Sequence, residues 1–417
     1  MTHDGMVPAS GNDPVRGLGE GREILVLCHR IPYPPNKGDK IRSFHLVRHL
    51  ARQGWRVHLG ALADDPGDLR HRKELEAYCA SLAVAPLPRW RKLRFPLGAI
   101  RGTSFSVECF RDKALQNYVD RVLASGRVAA ALAVSSPMAE YLRASPGPLP
   151  PRRILDLVDV DSQKWLAYAE RSAWPVSRLY ALEARLLGRY ERLVTALFQD
   201  VLLVSEAETA LFRRLGGANG KARALSNGVD LAYFSPQDPL APVVRGRTVF
   251  CGAMDYRPNI DAVVWFATAV LPLLRQRLPE AELYVVGANP HPRVRALTTL
   301  PGVHVTGAVV DVRPFVAKAA LSVAPVRLAR GVQNKVLEAM AMGKAVLATP
   351  QAFEGIEAVA GFDLAVAPDE PEAFAAAALQ LLLHPQAATI MGVRARRCME
   401  RRYSWASRLA PLETLLE

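Results

Sequence analysis

Cysteine is sparse and scattered: Cys28, Cys79, Cys109, Cys251 and Cys398 are all that 417 residues contain. No Cys-x-x-Cys occurs and no histidine stands at metal-ligand spacing from any of these cysteines, which argues against a disulfide framework and a thiolate zinc site. The cysteines read as reduced and structural, as in a cytosolic protein. No run of about 18 uncharged apolar residues is present, which excludes an ordinary membrane-spanning helix. The first 22 residues are rich in Gly, Pro and Asp and lack an apolar h-region. They are expected to be a flexible leader and not a signal peptide. No helix-turn-helix, RNP aromatic pattern or zinc finger is legible, so a nucleic-acid partner is not expected.

What is there suits a globular enzyme. Half of the residues are apolar, and a chain of this length exceeds one ordinary core, so two domains are expected. The net charge of +13 is uneven: residues 1–240 carry 34 Lys/Arg against 25 Asp/Glu, and residues 241–417 carry 19 against 15. A basic half can serve anionic lipid or a phosphorylated substrate. Residues 87–101 concentrate five cations with Trp90 and Phe95. The stretch reads either as a contact with an anionic membrane face or as a solvated basic loop, since Pro88 and Pro96 restrict a regular helix.

Short apolar runs alternate with amphipathic helical stretches, the pattern of parallel sheets covered by helices. Strands are expected at Ile24–Leu27, Arg56–Leu62, Ala129–Val134, Ile154–Val158 and Val201–Val204. A helix N-capped by Asp39 is expected to run to about Gln53. The polar stretch from Ser235 to Arg247 reads as a linker, after which the rhythm restarts. Strands are then expected at Thr248–Cys251, Glu282–Val286, Val303–Thr306, Leu321–Pro325, Ala345–Ala348 and Leu364–Val366. The expected division is 1–22 leader, 23–235 first domain, 236–247 linker, 248–395 second domain and 396–417 closing helix. Two open α/β sheets in series place a ligand cleft at the carboxyl ends of their strands.

The most informative segment runs from Arg330 to Gly343. At about 100° per residue Gly331, Lys335, Glu338 and Met342 share one stripe, while Val336, Leu337 and Met340 point elsewhere. A helix opened by Gly331 turns its first N–H groups toward an anion, and the compact charge of Lys335 suits a diphosphate. Glu338 can accept hydrogen bonds from ribose hydroxyls. The alternative is an ordinary i,i+3 surface pair.

Val336-Leu337-Glu338-Ala339-Met340-Ala341-Met342-Gly343-Lys344 resembles the donor-site helix of family-four GT-B glycosyltransferases. That family often shows Glu, seven residues, Glu; the second maps onto Glu338 and the first onto Arg330, a departure at the donor-sugar contact. Asn227-Gly228-Val229-Asp230, the Gly252 loop through Arg257 and Asn259, Val303–Asp311 with Val309 and Val310, and Tyr403-Ser404-Trp405 resemble further family segments in order. The loop with Gly38, Asp39 and Arg42 resembles the N-domain loop that faces donor phosphate and acceptor. Asp156–Ser162, with Gln333-Asn334-Lys335, looks like the sugar transferases associated with exosortase-type exopolysaccharide systems.

The resemblance implies two facing Rossmann-like domains with parallel sheets and a cleft between them. It implies a retaining transferase with no cofactor, taking a nucleoside-diphosphate sugar as co-substrate and a lipid-linked or saccharide acceptor, in the cytoplasm or at the inner face of its membrane. Donor contacts are expected from Gly252, Arg257, Val309, Val310, Gly331, Gln333, Asn334, Lys335 and Glu338, and catalytic work from Asp159, Asp161, Arg330 and Lys335. Asp159-Val160-Asp161 also spells a metal-binding Asp-x-Asp, or a strand-end turn in which Asp161 or Ser162 caps the next helix; no metal is expected. A nucleotide-sugar epimerase of the same fold and a non-catalytic glycan-assembly protein are the rival readings.

Overall fold

The computed structural model describes residues 21–35, 38–88, 102–218, 220–236, 242–328 and 332–417. Arg330, Gly331 and the cations from Arg89 to Arg101 lie outside the described residues. The chain divides into two compact units, one running up to Ser226 together with Leu409–Glu417, the other comprising Asn227–Arg408.

The first unit holds a seven-stranded sheet ordered β3-β2-β1-β4-β5-β6-β7. Its strands are β1 (Glu23–Cys28), β2 (Arg56–Ala63), β3 (Ser81–Pro86), β4 (Val128–Val134), β5 (Arg152–Val158), β6 (Asp200–Leu203) and β7 (Ala222–Ala224). Every described pairing is parallel, with Leu25 opposite His58 on one side and Ala131 on the other. All six residues of β1 are buried, as a central strand covered by helices on both faces requires. The expected strands are present, but β3 and β7 were not legible. β3 is a part-exposed edge strand whose apolar run, Leu82–Ala85, is only four residues long and ends at Pro86; β7 has only three residues.

The second unit repeats the plan with six strands, ordered β10-β9-β8-β11-β12-β13. These are β8 (Val244–Cys251), β9 (Glu282–Val286), β10 (Val303–Gly307), β11 (Ala319–Ala324), β12 (Val346–Ala348) and β13 (Ala365–Val366). β8 begins inside the stretch expected to be linker. In each sheet the strand order reverses beside the first strand, between β1 and β4 and between β8 and β11. In open α/β sheets a ligand binds at such a reversal, beyond the carboxyl ends of the strands.

Of the helices, those that matter below are α1 (Gly38–Arg52), α2 (Phe105–Phe110), α3 (Asp161–Glu170), α4 (Val176–Val194), α5 (Arg257–Trp265), α6 (Asn334–Ala341) and α7 (Trp405–Leu416). Asp39 lies in the first turn of α1 and not at its cap. α4 turns two carboxylates inward to satisfy the open N–H groups of other helices. Glu183 accepts from Ser104 Oγ and from the N–H groups of Phe105 and Ser106 at α2. Glu191 accepts from Ser162 Oγ at 2.6 Å and from the Ser162 N–H in α3; burial pushes its carboxyl up to about 8. Among the described residues no single helix is long and apolar enough to cross a membrane.

Candidate active site

In the second unit, β8 delivers the chain to a glycine loop at the strand reversal. Gly252 N–H donates to the Val286 carbonyl at 3.0 Å and Met254 N–H to Ala288 at 2.9 Å, tying this loop to the end of β9. A Cβ at Gly287 would fall 1.7 Å from the Gly252 carbonyl oxygen, so no side chain fits there. At Gly252 itself a Cβ would stand 2.7 Å from Asn259 Nδ2 and 3.4 Å from Lys335 Cε. Asn259, in the first turn of α5, fixes the loop by donating to the Ala253 carbonyl at 2.9 Å. Its Oδ1 is buried without a hydrogen-bond partner among the described residues, an acceptor open to a ligand's donor.

The opposite wall is α6, anchored by Val336, Leu337, Ala339 and Met340 in the core. Asn334 opens this helix, with Gln333 in extended backbone at its cap. The helix thus begins three residues later than expected, and Lys335 stands in its first turn, where N–H groups lack intrahelical partners. Lys335 Nζ donates to Gln333 Oε1 at 3.0 Å and lies 5.4 Å from the centre of the Phe250 ring. Burial pulls its ammonium down to about 8, against the raising influence of Glu338. Burial likewise pushes Glu338 up to about 7, with Lys335 opposing. No ion pair joins the two among the described residues. They are part-buried, so the ordinary surface pair is not what the helix holds. Cys251 lies beside them, its thiol pushed up to about 12 by burial, too inert to serve as a nucleophile.

Two sequence segments meet beside this helix, one of them touching it. Asn227 Nδ2 donates to Asn334 Oδ1 at 3.1 Å. Gly228 leaves no room for a side chain, because a Cβ would meet the Trp405 backbone at 2.8 Å, and Val229 N–H donates to the Tyr403 carbonyl at 2.7 Å. The Asn-Gly-Val-Asp and Tyr-Ser-Trp motifs are therefore two halves of one contact.

A further cluster was not legible in the sequence. Arg313 lies over the Tyr233 ring at 3.9 Å and pairs with Asp311 at 2.7 Å. Tyr233 Oη donates to Asp311 Oδ1 at 3.3 Å. Burial raises the Asp311 carboxyl, but the Arg313 hydrogen bonds outweigh it and hold the group below its usual range. Arg327, just past β11, makes a two-bond pair with Asp261 of α5 at 2.8 and 3.0 Å. Nothing local marks Tyr233 or Asp261, since their partners stand 78 and 66 residues away. Arg257 is exposed at the first position of α5. Val309 is part-buried, and Val310 is 62% exposed on the loop after β10.

In the first unit Gly38 is the exposed first residue of α1. Asp39 accepts from Arg30 at 2.7 Å and from His29 at 3.1 Å. Burial raises its carboxyl, yet the His29 hydrogen bond and the Arg30 charge prevail and hold it far below the usual range. Arg42 is not presented to a ligand: it is completely buried against Asp156. At the end of β5, Val158 has φ +67, a left-handed conformation that strains a β-branched residue. The turn presents Asp159 and Asp161 to one ammonium, Lys164 Nζ, at 2.7 and 3.0 Å. The cap position of α3 is Val160, with neither Asp161 nor Ser162 capping it. Asp159 Oδ1 is buried without a hydrogen-bond partner among the described residues.

Residues 245–384, which include the Gly252 loop, α5 and α6, match the family described as glycosyl transferases group 1. No curated protein matches the chain by sequence. Among solved structures, sucrose-phosphate synthase from Thermosynechococcus elongatus is similar at 18% identity and a TM-score of 0.70, covering 94% of this chain and 98% of its own. Anabaena HepE, solved with UDP and glucose, aligns at 16% identity and 0.66, covering 95% and 99%. A mutant of TarM from S. aureus, solved with Fondaparinux, alpha-GlcNAc-glycerol and UDP, aligns at 10% identity and 0.66, covering 95% and 100%. These likenesses establish the GT-B fold.

Proposed function

We propose, from the group 1 glycosyltransferase domain that this GT-B enzyme carries at residues 245–384, that it moves a sugar from a nucleoside diphosphate onto a growing glycan. The observation that carries the reading is the placement of Lys335 and Glu338, both shifted by burial, on α6 beside the Gly252 loop. Departure of the nucleotide develops negative charge on the diphosphate. Lys335 and the first N–H groups of α6 stabilise it, with Arg257, Arg330 and the residues after Gly331 as further donors. A diphosphate beside Lys335 restores the proton that burial weakens. Glu338 orients the ribose, and Asn259 Oδ1 supplies an additional acceptor. Val309 and Val310 border the base.

On the first unit, Asp159 and Asp161 are assigned to the acceptor side, held in place by Lys164. The reaction proceeds with retention and without a cofactor, and the acceptor is a lipid-linked saccharide of an exopolysaccharide. HepE and TarM were each solved with UDP, which makes UDP-sugars the first donors to try. Radiolabelled UDP-sugars incubated with the protein and a membrane extract test the reading. Label passing into an extractable glycolipid is expected; isomerised free donor, or no reaction across a broad donor panel, counts against it.

A further inference from the structure

We propose that the hairpin of α3 and α4 is a docking surface for an anionic lipid bilayer. Its observations are independent of the donor site, and it deepens the lipid-linked reading by naming the face that meets the membrane. Between Arg171 and Leu193 the sequence has five arginines and two glutamates. The glutamates are Glu183 and Glu191, 2% and 1% exposed because they cap other helices. The outward face of α4 therefore presents positive charge alone, and Glu170, exposed at the end of α3, is the carboxylate nearest the tip.

Apolar side chains stand beside that charge. Trp174, at the tip between the two helices, is 79% exposed, and Leu179, Leu182 and Leu193 are exposed along α4. At about 100° per residue, Arg178, Arg185 and Arg189 form one ridge. Leu182, Leu186 and Leu193 form the flank next to it, with Leu179 at its edge. A helix with an apolar flank, a parallel arginine ridge and a tryptophan at its end suits the layered bilayer surface, where headgroups meet acyl chains. A folded protein partner would be better met by anchors clustered in a central pocket; here the cations are distributed along the length of one helix. The hairpin is rigid enough to present the face, since Trp165, Tyr168 and Tyr180 pack together at its centre with ring centroids 5.3 to 6.2 Å apart.

The test is co-sedimentation with vesicles of phosphatidylcholine, alone or mixed with phosphatidylglycerol, across a salt series. The full chain is compared with Arg178→Gln/Arg185→Gln/Arg189→Gln, Trp174→Ala/Leu182→Asp, and a variant with the cations of residues 89–101 neutralised. Binding to the mixed vesicles that weakens with salt is expected. The arginine variant should bind on the order of 100-fold more weakly, about fivefold per cation. Brominated lipid should quench a fluorescence component that Trp174→Phe removes. Sedimentation of both hairpin variants at wild-type levels, or equal salt-insensitive binding to both vesicle types, overturns the proposal. So does loss of binding in the 89–101 variant alone, which would leave the lipid-linked reading standing. A dimer that the hairpin variants dissociate without vesicles would assign the face to a second copy instead. Unchanged thermal unfolding and donor binding in the variants guard against misfolding, and donor binding reports separately on the transfer reading.

Discussion

Arg42 and Asp156 face each other with neither side chain exposed, Nε to Oδ2 at 2.7 Å and the second nitrogen to Oδ1 at 3.0 Å. Arg42 Nη1 also donates to the Leu225 carbonyl at 2.8 Å, so one guanidinium joins α1, β5 and the segment after β7. Removing one partner leaves the other charge buried and unpaired, which costs about 3–5 kcal/mol. Arg42→Ala and Asp156→Ala should each lower the urea midpoint accordingly, while Arg42→Met/Asp156→Leu should recover most of the loss. Single variants as stable as wild type would return Arg42 to the list of candidate ligand contacts.

At the proposed donor site, Lys335→Ala and Glu338→Ala should each weaken nucleotide-sugar binding by roughly 1–3 kcal/mol, the scale of a charge-assisted hydrogen bond. Calorimetry with the donor found in the transfer assay measures it. Donor affinity untouched in both variants would remove α6 from the site.

The same pair sets a pH window. Glu338, raised to about 7, must be ionised to accept from ribose, so its contribution is lost as pH falls through that value. Lys335, lowered to about 8, must be protonated to meet a diphosphate, so its contribution is lost as pH rises through that value. Donor affinity should peak between about pH 7 and 8. Lys335→Ala should flatten the alkaline limb and Glu338→Ala the acidic one. A wild-type profile that stays flat across both limbs contradicts the assignment.

How much of this was legible follows the range of the interactions. Central strands such as β1 announce themselves because burial on both faces demands an unbroken apolar run; β3 at the edge and three-residue β7 carry no such demand. Lys335 and Glu338 share a stripe that local periodicity reveals, yet the helix start was misplaced because Val332 and Gln333 stay outside the helix. Arg42 looked like a loop cation, and only its partner 114 residues away shows it to be part of the core. Tyr233 with Arg313 and Asp261 with Arg327 were silent for the same reason: each residue is ordinary until the fold supplies the other.

Gly252 lies beside Lys335 of the proposed donor site. A methyl group there would press on Asn259 Nδ2 at 2.7 Å and touch Lys335 Cε, displacing the amide that holds the Ala253 carbonyl. Gly252→Ala should therefore raise the donor Kd about tenfold or more and also lower the thermal midpoint, because the displaced Asn259 amide is buried and its hydrogen bond is lost. Equal donor affinity would mean that the loop does not approach the ligand.

The last prediction concerns metal. Asp159 and Asp161 have the spacing of a metal-binding pair, and two carboxylates on one turn repel unless a cation lies between them. Here that cation is Lys164, at 2.7 and 3.0 Å from the two groups. A divalent ion entering this place would have to displace an ammonium already paired twice, and two carboxylates alone leave most of an octahedral set unfilled. Charge on the departing diphosphate is instead assigned to Lys335 and the start of α6, in the other unit. Transfer should therefore survive exhaustive treatment with EDTA, and Asp159→Asn should impair it without creating a response to added Mn²⁺. Activity that disappears with EDTA and returns with Mn²⁺ or Mg²⁺ would reverse the assignment. If Lys164→Met then tightened metal binding, the site would be located at Asp159 and Asp161.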